Sequence, residues 1–596
     1  MSQPRPILIA LLLVVLTACS SLAPAAQAPT PTSVPTSVPT PSGRGAGDTL
    51  RIILWQAPAT LNPHLSTAVK DWTAARITYE PLASFDSDGI TMIPFLAAEI
   101  PSLENQGVAR DGTSVTWKLR QGVKWSDGEP FTADDVQFTF EYITNPAVGA
   151  TSRNAYQSVK SVEVIDATTV RVNFTTPTPA WTLPFVGAQG MILPKHVFAA
   201  FNNAKAKEAP ANLIAVGTGP YRATEFANED LLIIGDTVVN TVRVVFEPNP
   251  FFRETDKPYF SRVELQGGAD ASVAARAVLQ NDVVDYAWNI QVDQATLDKL
   301  LAEKLGQVIP NLGPQVERLI LNNTNPLSAT ADGEYANLAH PHPFFSDLRV
   351  RQAMAYAIDR EAILKLYPGS KIAPRLLVAP SIYSATDLPF TYDLTEAARL
   401  LDVAGWKDTN GDGVREKKGV RLEVQINTTV NIVRRQTLDI IRAAYESIGI
   451  GVKLKFVDVG VFTSTDPTVL DSWSHFYSDM QLFFHGNLSP DPGEYMSWWT
   501  QDQIPQQANG WKGFNFERWQ NATYNRLYKE STQEMDFEKR RQIFVQMNDL
   551  LMKSIVQIPL VNRAQLSAVS NRLTGVALTP WDTDTWNIKD WSRATQ

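Results

Sequence analysis

Three side-chain oxygen donors at alternate positions, Asp408, Asn410 and Asp412, followed by Gly413, open the segment DTNGDGVRE. Carboxylate and amide oxygens at that spacing can surround a calcium ion, in a twelve-residue loop that ends on a bidentate Glu. Here the twelfth position is Gly419. Glu416 could substitute, but turns rich in Asx and Gly also close on their own backbone with no ion. Calcium is therefore a candidate with a structural role, and the sequence marks no other metal set. The six histidines include His340-Pro-His342, a proline turn, and no His-Glu-x-x-His helix that would put two ligands on one face. There is no Gly-x-Ser-x-Gly and no Walker loop. The 62 acidic residues do not single out a carboxylate pair without geometry. The expectation is a protein that is not an enzyme and needs no cofactor.

The single cysteine, Cys19, follows the apolar run of residues 7–16 and the small residues Thr17 and Ala18. Ten apolar residues fall far short of the roughly 20 that span a bilayer. With Arg5 ahead of them, they have the layout of a secretory signal peptide, residues 1–18. Leu16-Thr17-Ala18-Cys19 also resembles the lipobox of bacterial lipoproteins, which implies lipidation of Cys19 and a membrane anchor. Residues 19–47 then read as a tether, with PTPTSVPTSVPTP and no charge before Arg44. Extended at roughly 3.1 Å per residue, such a segment reaches about 80 Å. Cys19→Ser is expected to move the protein from the membrane fraction to the soluble one without loss of fold. Unchanged membrane association would refute the anchor.

From Asp48 onward the composition is that of a folded protein, and it exceeds what one core supports. A formal net charge of −9 argues against nucleic acid, which needs a clustered basic surface. The elements that position any site are mixed. Residues 159–174 alternate on either side of Asp166-Ala167 as a hairpin, and Val115, Trp117 and Leu119 alternate alike. Thr132 and Asp135 predict a capping box for a helix with Val136, Phe140 and Ile143 on one face. Asp393 and Glu396 predict another, stopped by Gly405. Val420, Leu422, Val424 and Ile426, a helix with Leu438, Ile441, Tyr445 and Ile448, and Val452, Leu454 and Phe456 form a β-α-β unit. The class is α/β.

Several blocks carry a resemblance that covers nearly all of this body. VTWKLRQGVKWSDGEPFTADDVQFTFEYI (115–143) and HPFFSDLRVRQAMAYAIDREAI (342–363) are similar to signature blocks of the family 5 extracytoplasmic solute-binding proteins of bacterial ABC importers. ILPKHVF (192–198), VGTGPY (216–221), AARLLDVAGWKDTNGDG (397–413) and QIPLVNRA (557–564) follow in the family's order. The resemblance implies a two-lobed periplasmic-binding-protein fold of type II, with an extra subdomain at about 83–185 in the first lobe. Lobe 1 would span 48–317 and lobe 2 318–561, with 562–596 returning to lobe 1. Crossings near 318–322 and 558–561 would form the hinge. It further implies a monomer that captures a peptide or similar small polar solute and hands it to an ABC permease and its ATPase. Oligosaccharide capture is the alternative, followed by a surface hydrolase or a sensory lipoprotein on the same fold.

In peptide-binding members, the aspartate of an Asp-aromatic-x-x-Pro segment holds the peptide's α-ammonium. The matching segment here is Leu488-Ser489-Pro490-Asp491-Pro492, preceded by His485, Gly486 and Asn487, and Leu488 stands at the aspartate's position. Asn487 or Asp491 would have to replace it, and Asp491 belongs to an Asp-Pro turn. By the same resemblance, Leu61-Asn62-Pro63-His64 places Thr67 and Val69 near the ligand, and Arg318 stands at the hinge entry.

Overall fold

The computed structural model describes residues 43–66, 68–384 and 390–594. The leader, Cys19, nearly all of the tether and Thr67 lie outside the described residues. The described body includes residues just ahead of Asp48. Arg44 donates to the carbonyls of Lys257, Asn249, Pro250, Phe252 and Glu254, which pins the chain ahead of the first strand. Among the described residues, no helix is long and apolar enough to cross a membrane.

One eleven-stranded sheet runs through the molecule. Its central strands are β1 (Gly47–Leu54), β2 (Phe260–Gly267), β3 (Tyr286–Trp288), β4 (Gly306–Leu321), β5 (Glu423–Thr429), β6 (Gly451–Val457), β7 (Met480–His485) and β8 (Gln557–Ser570). Their spatial order is β6-β5-β7-β4-β8-β3-β1-β2, and the hairpin strands Thr237–Pro248 and Tyr221–Ile234 extend the β2 side. β4 and β8 are antiparallel from Gly306↔Ser570 to Ile320↔Gln557 and are the long members that cross the molecule.

Two large hydrophobic cores lie on this sheet. One gathers Leu50, Trp117, Tyr142 and Tyr286 with Val569, Trp581 and Trp591 from the chain's end. The other gathers Leu319, Met354, Ile426, Leu438, Leu482 and Leu560. The β4–β8 register shifts between Leu312 and Val316, at Pro314, which has no N–H to give a ladder. Asn562 bridges the gap with its side chain, donating to the carbonyls of Gly313 (2.7 Å) and Gln315 (3.1 Å). This irregularity lies a few residues on the β1 side of the expected crossing at 318–322.

The local readings hold with two adjustments. The hairpin forms as Val159–Asp166 and Thr169–Phe174, and Ser114–Lys118 joins it in a separate three-stranded sheet. The Thr132/Asp135 capping box is complete. β5, the helix Ile432–Ser447 and β6 form the β-α-β unit with parallel strands. Its first strand is shorter than the alternation predicts, because Val420 belongs to a two-residue strand and only Glu423–Thr429 joins the main sheet. Asp393 caps the helix Leu394–Val403 by accepting from the Glu396 N–H (2.9 Å). Glu396 does not reciprocate, since Arg399 one turn on takes both its oxygens (2.7 and 2.8 Å).

Candidate functional site

Strand direction locates the site. β4 leaves the first core and enters the second; β7 is antiparallel to it, so the carboxyl end of β7 points back toward the first core. β5 and β6 run parallel with β7 and share that direction. β8 makes the return journey, and β3 is antiparallel to it, with β1 and β2 parallel to β3 or to each other. Six carboxyl ends, three from each core, therefore face the same region between the cores. Ligands of open α/β sheets bind outside the carboxyl ends of the strands.

On the first side, Trp55 directly after β1 and Trp288 at the end of β3 stack with ring centroids 6.2 Å apart and planes 9° from parallel. Both indole N–H groups are buried without a protein partner. On the second side the strand ends expose several apolar side chains beside Asn431 and Asp458. Val430 and Ile432 follow β5 and are 69% and 65% exposed; exposed Val459 and Val461 follow β6; Leu488 follows β7 and is 78% exposed. Beside the end of β7 lies an aromatic cluster. Trp498 stacks on Phe514 at 4.5 Å and 14°, and His485 meets Trp498 edge-on at 5.4 Å and Trp473 at 5.5 Å.

The expected site residues divide into those that reach this surface and those that do not. Leu488 reaches it; Val69 is exposed at the start of the helix Val69–Ala75. Thr67 lies outside the described residues. His485 is buried, and burial, with help from Arg318 and Arg434, holds its imidazole well below the ordinary value, so it is neutral. Gly486 has a steric role: a Cβ there would stand 2.4 Å from the Pro314 carbonyl oxygen, at the crossing of β4. Asn487 is buried and donates to the carbonyls of Ala379 (2.9 Å) and Ser489 (2.8 Å).

Arg318 is fully buried and donates to Val316 O, Tyr495 Oη, Gln557 Oε1 and His485 O, which ties β4 to β7 and β8. The Leu-Asn-Pro-His segment is likewise internal. Asn62 donates to Tyr142 and Asn212, and His64 lies between Ser152 and the Met191 carbonyl. Asp491 is committed to Arg540, which grips both its oxygens, and it also accepts from the Gly493 N–H. Burial raises its carboxyl, but Arg540 outweighs that and leaves it below the ordinary value. Asp491, the first acid after Leu488 in the chain, is therefore not free.

The Asp408 loop closes mostly on its own groups, although Glu416 Oε2 is buried with no hydrogen-bond partner among the described residues. Asp408 accepts from the N–H groups of Gly411 (2.7 Å) and Gly413 (2.9 Å), Asp412 pairs with Arg421, and Glu416 accepts from Thr409. Among the described residues, no three His, Cys, Asp or Glu side chains are grouped to hold a metal.

Sequence reasoning missed Glu317, Arg434 and Arg563. Glu317 on β4 is fully buried and receives Arg434 Nε (2.7 Å) and Arg563 Nη1 (3.2 Å). Both guanidiniums also lie against Phe484, at 5.5 and 4.5 Å from its ring centroid. The three residues are 117 and 246 positions apart, so no local signal joins them.

Comparison with known proteins supports this geometry. The model of the family described as bacterial extracellular solute-binding proteins, family 5 Middle, matches residues 91–506. The chain is 26% identical over 451 residues to a putative ABC transporter peptide-binding protein of Brucella ovis, covering 74% of each. It is 24% identical over 529 residues to the glutathione-binding protein GsiB of Escherichia coli K12, covering 87% of this chain and 90% of that one. The fold matches NikZ of Campylobacter jejuni, solved with Ni(L-His), with a TM-score of 0.67 at 23% identity, over 93% of this chain and all of that one. Two cores joined by two crossing strands, with six strand ends facing the region between them, are thus the two lobes of a binding-protein fold, and this chain belongs to the bacterial extracellular solute-binding proteins of family 5.

Proposed function

We propose that the protein captures a peptide or similar small solute between its lobes and delivers it, chemically unchanged, to an ABC permease at the outer face of the cell membrane. The observation that carries this reading is the convergence of six strand ends on one gap. Peptides come first because relatives are named for them, while the aromatic surfaces on both sides also suit the faces of sugar rings.

In this reading the hinge lies at residues 312–316 and 562–564, lobe 1 holds the first core with the returning C-terminal segment, and lobe 2 holds the second. A ligand that touches both lobes favours the closed form by its differential affinity. Lipid on Cys19 and a Pro-rich tether would hold the monomer near its permease and raise the effective concentration.

The test is to add candidate solutes and follow both shape and stability. The correct solute is expected to make the particle more compact in X-ray scattering and to raise Tm by mass action. It should come back unaltered from the complex. A saturating ligand that leaves the scattering profile unchanged would refute the clamp, and a ligand returned cleaved would refute simple capture.

A further inference from the structure

We propose that the cleft receives a carboxylate of its ligand, and that Arg563 is the side chain that binds it. The inference rests on the solute-binding reading above. Arg563 lies on β8 beside the irregular stretch opposite Pro314, where the strand passes between the two cores. Its guanidinium is fixed in two ways, by the bond from Nη1 to Glu317 and by packing on Phe484, next to the last residue of β7. It therefore stands at the strand end that also carries Leu488.

The arginine has unused capacity. Its Nε and Nη2 have no hydrogen-bond partner among the described residues, and the side chain keeps 31% of its surface exposed. Nε–H and Nη2–H form the side-on edge of a guanidinium, two parallel donors that match the two oxygens of a carboxylate. Arg434, by contrast, is used up: Nε and Nη2 go to Glu317 and Nη1 to Thr429.

Charge balance points the same way. Two guanidiniums share one carboxylate, which leaves a residual positive charge at the hinge. Arg318 lies close by; its donors go to neutral oxygens, and the buried carboxyl of Glu517, pushed up to about 7 by burial, sits within its electrostatic reach. The nearest acid along β7's continuation, Asp491, is neutralised by Arg540. The strand ends on the second side expose Val430, Ile432, Val459, Val461 and Leu488, and the acid that follows β6, Asp458, accepts from the Gly460 N–H. A ligand carboxylate would complete the fork that Glu317 holds in place. Its source is either the C-terminus of a peptide or an acidic sugar.

The experiment uses the full-length protein and native mass spectrometry on paired pools. One pair is N-acetylated tripeptides with a free C-terminal acid or the C-terminal amide; the other is oligogalacturonates and neutral maltooligosaccharides. The acid member of one pair is expected to be captured at least tenfold better than its neutral twin, and which pair responds identifies the source. In Arg563→Gln that preference should fall to near unity, and Arg563→Lys should restore part of it, since a point charge replaces the fork.

Equal capture of acid and neutral members by the parent protein overturns the proposal and leaves solute binding standing. So does a preference that survives in Arg563→Gln. Capture of nothing from either pair overturns the inference together with the peptide and sugar reading beneath it. The comparison of pools on the parent protein needs no variant, so poor folding of a variant would not spare the proposal.

Discussion

An N-acetylated peptide is expected to bind this protein about as well as the same peptide with a free amino group. A buried ammonium with no partner costs several kcal/mol, so a binding protein for free peptides needs an acid where the N-terminus lands. At the end of β7 the available position is Leu488, largely exposed and apolar. Its neighbours do not replace it. Asn487 donates to two carbonyls within the protein, and Asp491 lies in a two-point grip with Arg540. Leu488→Asp should then create a preference for the free amine of about tenfold. Because Leu488 packs on little, the fold should tolerate the change. Calorimetry on an acetylated and free pair decides the matter. A tenfold loss on acetylation of a ligand for the parent protein, about 1.4 kcal/mol, would show that another acid performs the anchoring.

Glu317→Gln should have the largest effect on stability. It leaves Arg434 and Arg563 facing each other across a site where the acid is fully buried, and breaking such a group by removing one partner typically costs about 3–5 kcal/mol. The pH dependence has a definite sign. Burial alone would raise the Glu317 carboxyl, but Arg434 and Arg563 outweigh it and hold the group below its ordinary value of 4.5. A lowered carboxyl contributes stability that is present above 4.5 and is lost as pH falls through the lower, folded value. Acid melting of the parent protein should therefore show a loss below about pH 4.5 that the glutamine variant lacks. Equal melting temperatures of the two proteins at pH 7 would mean the hinge charges are solvated and not structural.

The local grammar of the chain was readable from residue types alone. Thr132 with Asp135, Asp393 with the Glu396 N–H, and Gly405 past a helix end all work within one turn, and they formed as their types require. The periodicity of β5, its helix and β6 named a parallel unit, and the family blocks named the architecture that contains it. Glu396 shows the limit even at short range, because a cap partner and an Arg one turn on compete for the same carboxylate.

Which residues face the ligand was a different kind of question. Arg318 looked available and is buried among four acceptors, while Arg563 was noted only as part of a family block and has an open edge. Their roles depend on which strands lie beside β4 and β8, and on a register shift at Pro314 that sets what Arg563 meets. The sequence by itself determined the class of fold, its caps and its α/β order, since these rest on contacts between near neighbours in the chain. Only the tertiary structure decided which charges are spent and which are free, because an ion pair across 246 residues exists only once distant strands have been brought into register.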